Sequence, residues 1–239
     1  MNDIPTRDAH VPPAPSGGRK DDNARERLLR AGAAEFLAKG FAKARLANIV
    51  RAAGVTTGPL YWYFRDKEDL FGALVSDAYD AALALLDGFL ASYRALEDAN
   101  KTREAIRGGR SYACGLASLV FSRKKAFRLL VEDRAVGTRW NGLPRLLAER
   151  EIDEEWVWMD DSQKNVPGDP FPREALVDLL HGTIEALFKA VFRAKSRDEV
   201  ASVAEKNHAF YVAGCCAVLG LGPDDAPTPG SSGASPPPV

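Results

Sequence analysis

The run Ala52-Ala53-Gly54-Val55-Thr56-Thr57-Gly58-Pro59-Leu60-Tyr61-Trp62-Tyr63-Phe64 decides the fold. Upstream of it, Leu46, Ile49, Val50 and Ala53 fall on one face of a short helix, and Gly54 is a residue that can take the positive φ a helix stop needs. Val55 is apolar inside the turn, where it can plug the angle between two helices. Thr56 sits where a hydroxyl can cap the next helix. Pro59 falls in that helix's first turn, where its missing N–H needs no partner. Two short helices joined by so tight a turn have the logic of a helix-turn-helix. The second helix presents Thr57, Tyr61, Trp62 and Tyr63, whose hydroxyls, indole N–H and aromatic faces can approach phosphates and base edges, while Leu60 and Phe64 share a core face.

Outward from this run the apolar period stays helical. Asp21 to Lys39 places Leu29, Ala33, Phe36 and Leu37 at helical spacing and stops at Gly40. Asp66 caps a long helix through Leu70, Leu74, Ala78, Ala81, Leu85 and Phe89. Residues 102–123, 124–135 and 143–151 read as helices, and 137–142 and 160–172 as loops. Pro172 opens a strongly apolar helix, and Ser196 with Glu199 forms a capping box ahead of a last helix that ends near Leu219. No alternating stretch argues for a strand. Residues 1–18 and 222–239 are rich in Pro, Gly and Ser and too polar to offset their ordering entropy, so disordered tails are expected there.

Charge divides along the chain. The 239 residues carry a formal net charge of −1. Residues 19–67 hold 11 Lys and Arg against 5 Asp and Glu, a net of +6. A basic segment on an acidic body suits nucleic acid at one end only. Three cysteines, Cys114, Cys215 and Cys216, cannot pair fully and show no metal-ligand spacing, which fits a reducing cytoplasmic setting. The N-terminus has no apolar signal region, and no run is long enough for a membrane span. His10, His181 and His208 are scattered, and no nucleophile motif or phosphate loop is present, so no catalytic residues, metal or cofactor are expected.

Taken together, Phe41, Ile49, residues 52–56, Gly58, residues 60–64 and Lys67-Glu68-Asp69-Leu70 resemble the DNA-binding domain of the tetracycline-repressor (TetR) family over about residues 22–72. The resemblance implies an all-α protein. Residues 19–67 would form a three-helix helix-turn-helix DNA-binding domain, and residues 68–221 a helical ligand-binding and dimerisation domain. It implies that Thr57, Gly58 and Pro59 meet base edges at the start of the recognition helix, beside Thr56. Tyr61 would bond a phosphate, Trp62 and Tyr63 would line the sugar-phosphate wall or the groove, and Lys67 would offer its ammonium to phosphate at a helix N-terminus. Arg45 stands where the family has a capping Thr; it forgoes a cap worth roughly 1 kcal/mol and offers a phosphate contact instead. Ala47 replaces a polar residue, which shifts specificity towards DNA shape.

The same resemblance implies a homodimer through residues 172–219, hence a palindromic operator, and a small-molecule effector among the middle helices. Candidate lining residues are Phe89, Tyr112, Leu116, Phe121, Phe127, Trp140, Trp156, Trp158, His181 and Phe210, a set suited to an apolar or aromatic, lipophilic ligand. The acidic stretch through Glu149, Glu151, Asp153, Glu154, Glu155, Asp160 and Asp161 reads as solvated surface. The expected function is a ligand-responsive transcriptional repressor rather than an enzyme.

Overall fold

The computed structural model describes residues 20–96, 101–131, 134–164 and 169–219, excluding the side chains of 20–22, 101–107, 157–158 and 161–163. Both expected tails lie outside these residues. All regular structure among the described residues is helical: α1 (Lys20–Lys43), α2 (Leu46–Ala53), α3 (Thr57–Tyr63), α4 (Lys67–Arg94), α5 (Lys101–Ser122), α6 (Lys124–Leu130), α7 (Leu143–Gln163), α8 (Arg173–Arg193) and α9 (Arg197–Leu219). The helix expected at 124–135 ends at Leu130, whereas α7 runs beyond the expected 151 to Gln163 and takes in the first part of the expected 160–172 loop.

The stop signals act as local chemistry dictates. Gly40 breaks α1 with φ 70° and ψ 163°. Gly54 closes α2 at φ 62° and ψ 38°. Its N–H donates to the Arg51 carbonyl at 3.2 Å, and the Val55 N–H donates to Val50 at 3.3 Å, the paired bonds of a Schellman stop. Asp66 caps α4, its Oδ1 accepting from the Asp69 N–H at 2.8 Å, and Asp69 Oδ2 in turn accepts from the Arg65 N–H at 3.0 Å. The Ser196 hydroxyl accepts from the Glu199 N–H at 3.1 Å, while the Glu199 carboxylate reaches the Lys195 N–H at 2.6 Å, one residue earlier than a standard capping box.

The helices α1–α3 pack around Leu28, Phe36, Ile49, Leu60 and Phe64, all buried. The helix α4 belongs to this head and to the body at once. Phe71, near its start, meets Phe36 edge-on at 5.1 Å and Phe41 at 5.4 Å. Its later turns place Leu86 and Leu90 in the core of the body, where α5 packs between α4 and α9, and α7 packs on α8. The segment between α6 and α7 returns to the head. The Phe41 N–H donates to the Arg134 carbonyl at 2.8 Å, and Arg134 Nε donates to the Leu37 carbonyl at 3.1 Å. Trp140, buried, lies on Phe71 with ring centroids 6.0 Å apart and closes over Gly72.

A methyl group at Gly72 would collide with the Trp140 ring, whereas one at Gly88, on the same helix, meets nothing within 4 Å. Gly72→Ala is therefore expected to destabilise the fold by about 1–3 kcal/mol. Gly88→Ala should stabilise it by roughly 0.5–1 kcal/mol. Denaturant unfolding of the two variants checks the contrast.

Candidate nucleic-acid interface and internal cavity

The turn and the helix it launches form the exposed face of the head. Arg45, Ala47, Thr56, Thr57, Gly58, Tyr61 and Trp62 are exposed, Pro59 and Tyr63 half-buried, and Leu60 and Phe64 buried. Tyr61 and Trp62 stay 61% and 47% exposed, although aromatic side chains of this size are usually covered. Trp62 and Tyr63 meet edge to face at 4.6 Å, which fixes both rings. Thr56 holds the N-cap position of α3 with extended backbone, but its hydroxyl makes no capping bond.

The missing Thr at the start of α2 is compensated from another helix. Arg45 is the N-cap residue and makes no side-chain cap bond. Glu35 of α1 takes over: its Oε1 accepts from the Arg45 N–H at 3.3 Å and from Asn48 Nδ2 at 2.9 Å. Asn48 Oδ1 then accepts from Arg51 at 2.8 Å. The Asn48 bond, followed by the Arg45 N–H and Lys39, holds the Glu35 carboxyl below its ordinary range.

Lys67 is placed differently from the expectation. Its ammonium turns inward, donating to the carbonyls of Phe41 at 2.8 Å, Ala44 at 3.3 Å and Ala42 at 3.4 Å. It also lies 4.4 Å from the centroid of the Phe41 ring. A cation on the last carbonyls of a helix satisfies groups that α1 leaves unpaired.

In the body, a small cavity lies between α5, α7, α8 and α9, with about 30 Å³ open to the centre of a water molecule. Gly109, Tyr112, Ala113 and Leu116 line it from α5, Glu151 from α7, Leu180, Thr183, Ile184 and Leu187 from α8, and Asn207, His208 and Tyr211 from α9. Of the ten residues expected to line a pocket, Tyr112 and Leu116 do so. Phe89 stands one layer behind, its ring stacked on Tyr112 at 5.2 Å. Phe127 is core against Phe188, Trp140 is core against Phe71, and Phe121 lies under the Lys124 ammonium at 4.2 Å. His181 points to Glu185 at 3.6 Å, Trp156 is half-buried, and the side chain of Trp158 lies outside the described residues. Phe210 is 79% exposed and faces away from the core, so it does not join the cavity.

The acidic stretch corrects the expectation of solvated surface. Glu149, Asp153 and Glu154 do face outward, paired with Arg145, Arg173 and Arg94. Glu151 and Glu155, one helical turn apart, are buried instead. Burial pushes the Glu151 carboxyl up to about 8. Burial, followed by the charges of Glu151 and Glu154, drives Glu155 upward as well. Glu151 Oε2 and the hydroxyls of Tyr112 and Tyr211 are buried without an oxygen or nitrogen partner. Burial first, then the charge of Arg110, lowers His208 to about 4, so its imidazole is neutral. Sequence reasoning passed over Glu151, Asn207, His208 and Tyr211. The available signal was the spacing that sets Glu151 and Glu155 on the same helical face as Leu147, Ala148, Ile152 and Met159.

A basic helix-turn-helix head on an all-helical body defines a helix-turn-helix regulator class. Residues 28–74 match the family model for bacterial regulatory proteins of the tetR family. The head of this chain, from within α1 to the start of α4, is thus similar to the N-terminal domain of that family. It is 38% identical over 71 residues to the uncharacterised HTH-type transcriptional regulator YdgC of Bacillus subtilis strain 168, covering 30% of this chain and 36% of that protein. It is 37% identical over 83 residues to the transcriptional regulator AcuR of Cereibacter sphaeroides, covering 32% of this chain and 37% of that protein. The alignments thus span little more than a third of these curated relatives, which are transcriptional regulators and not enzymes. Among solved structures, a gamma-butyrolactone receptor described as ArpA-like aligns at 19% identity and a TM-score of 0.46, covering 84% of this chain and 98% of that one.

Because the folded pKa of Glu35 is depressed, its contribution to stability is present above its unfolded pKa and is lost as pH falls through the folded value. Glu35→Ala should lower the melting temperature at pH 7 and flatten this acid limb, which thermal unfolding across pH measures. Glu151 has the opposite sign. Its folded pKa of about 8 lies above the ordinary 4.5, so its burial costs stability increasingly as pH rises between the two. Glu151→Gln should therefore raise the melting temperature at pH 8 more than at pH 5.

Proposed function

We propose that this chain is a homodimeric transcriptional repressor that binds a palindromic operator and releases it when a small molecule enters the body. The observation that carries the reading is the exposed α3 face, with Thr57, Tyr61 and Trp62 outward on a helix anchored by Leu60 and Phe64. In this reading, residues 19–67 are the DNA-binding domain and residues 68–221 the effector and dimer domain. Thr57, Gly58 and Pro59 enter the major groove at the helix start. Tyr61 and Thr56 supply hydroxyls to phosphates, and Trp62 and Tyr63 cover the groove wall. Arg45 supplies the cationic phosphate contact, while Lys67 serves the end of α1.

The dimer is supported by an unpartnered apolar face. Leu179, Gly182 and Ala186 of α8 are exposed at helical spacing, as are Phe210, Ala213, Gly214 and Ala217 of α9. Leu179 is 51% exposed and Phe210 79%. A large ring in a row of small side chains can enter the matching row of a symmetry mate. Two-fold symmetry then sets two recognition helices on successive turns of one DNA face, about 34 Å apart.

Selection from a random duplex pool tests the reading: enrichment of a palindrome supports it, and retention independent of sequence sinks it. On the selected site, Arg45→Ala should weaken binding uniformly across sequences and reduce the log–log salt slope by about 2, one phosphate contact being lost from each subunit. Lys67→Met should lower stability and leave that slope unchanged. Phe210→Glu should yield a folded monomer by light scattering, with operator affinity lost.

A further inference from the structure

The cavity in the body is chemically one-sided. Its polar groups are a carboxyl, two phenol hydroxyls, a Thr hydroxyl, an amide and a neutral imidazole, and no lysine or arginine lines it. Two arginines whose charge acts on the lining residues are engaged elsewhere, Arg110 with Glu205 at 2.7 Å and Arg150 with Asp87. Three of the polar atoms, Glu151 Oε2, Tyr112 Oη and Tyr211 Oη, are buried with no oxygen or nitrogen partner, and Tyr211 has only the Cys215 thiol beside it. Groups left in that condition cost free energy, so three of them around one void mark a place where a partner from solution gains hydrogen bonds.

We propose that this cavity binds a small organic amine, its ammonium group held by the Glu151 carboxylate and the hydroxyl oxygens of Tyr112 and Tyr211, its carbon tail lying along Leu180, Ile184 and Leu187. The inference rests on reading the cavity as the effector site. An ammonium brings three donors and no acceptor, which matches one carboxylate oxygen and two phenol oxygens. The Phe89 ring stacked behind Tyr112 holds that phenol in place. An anion would find no counter-charge. A metal ion lacks ligands, since no group of three or more His, Cys, Asp and Glu is suitably placed among the described residues.

Without ligand, Glu151 holds its proton at neutral pH, because burial disfavours its anion. The groups that face it are Tyr112 from α5, Glu155 and Arg150 from α7, and His208, Tyr211 and Cys215 from α9; α8 contributes only uncharged side chains to the cavity. Entry of a protonated amine therefore sends the Glu151 proton to solvent. An ammonium–carboxylate pair replaces a neutral acid, and charge balances with one proton released per ligand. Affinity should rise about tenfold per pH unit up to about 8 and level off above it, so long as the amine itself stays protonated.

Benzylamine and its uncharged isostere benzyl alcohol are the probes; both exceed the unliganded void, so their binding requires the helices around it to part. Isothermal titration into the full chain, in two buffers of different ionisation enthalpy, should give binding of benzylamine with release of close to one proton, and at least tenfold weaker binding of benzyl alcohol. Glu151→Gln should remove the proton release and weaken benzylamine at least tenfold while leaving benzyl alcohol unchanged. Equal binding of both probes, or benzylamine binding without proton release, overturns the proposal, as does a folded Glu151→Gln protein that binds benzylamine like the parent. The proton count is read on the unmodified protein and stands even if the variant fails to fold. Operator affinity with and without benzylamine is measured separately. An amine that binds with proton release but leaves DNA affinity unchanged keeps the cation site and removes its role as the effector site.

Discussion

The packing of Phe71 against Phe36 and Phe41 is the constraint on which the rest of the molecule depends. Phe71 stands in the second turn of α4, and the other two rings come from either side of the break at Gly40 in α1. Each such aromatic pair contributes about 0.5–1.5 kcal/mol beyond its area burial. That is a sizeable share of a stability that is only about 5–15 kcal/mol for a whole domain. Lys67 reinforces the joint by bonding the carbonyls that follow Gly40. The head cannot rotate on α4 without breaking these contacts together, so the direction of α3, which packs on α1, follows the direction of α4.

Under the proposed function, that rigidity would make α4 a transmitter. Its 28 residues extend over roughly 42 Å at 1.5 Å per residue. At the far end Phe89 stacks on Tyr112, which lines the cavity. A ligand that shifts Tyr112 would press on Phe89 and tilt the rod, and a small tilt at one end becomes a larger displacement of the recognition helix at the other. A second path runs through the segment before α7, where Arg134 is bonded to the end of α1 and Trp140 is wedged over Gly72. Both paths end on the same aromatic joint. Coupling of this kind is reciprocal: whatever weakening of DNA binding a ligand causes, DNA causes equally for the ligand.

The head was legible because its signals are local. Gly54, Pro59 and Asp66 each constrain their own backbone, and the structure puts Gly54 at the left-handed stop of α2, Pro59 in the first turn of α3 and Asp66 at the cap of α4. The compensation at Arg45 was not legible. Its partner Glu35 lies ten residues back on another helix, and nothing in the local sequence pairs them. The body was harder for a different reason. Aromatic residues were taken as cavity lining, but a large apolar ring is more often the filler of a core, as Phe127 and Trp140 are. The cavity is instead marked by polar residues on apolar faces. Glu151 was hidden inside a run of seven acids whose average property is that of a solvated surface, and only its phase relative to Ile152 and Met159 separates it from Glu149 and Asp153.

That phase difference divides α7 into two chemistries. On its outer side Glu149, Asp153 and Glu154 each meet an arginine, and exposed pairs of this kind contribute little because water already screens them. On its inner side Glu151 and Glu155 are buried, and burial of a carboxyl lowers stability through desolvation. A helix chosen only for folding would carry leucine at these positions. Local inconsistency of this kind persists where function requires it. Its consequence is energetic as well as chemical. A ligand that satisfies the unpaired groups stabilises the body and shifts the population towards the geometry that accommodates it. In the proposed switch, the free energy for moving α4 would come from the polar groups around the cavity that a ligand satisfies.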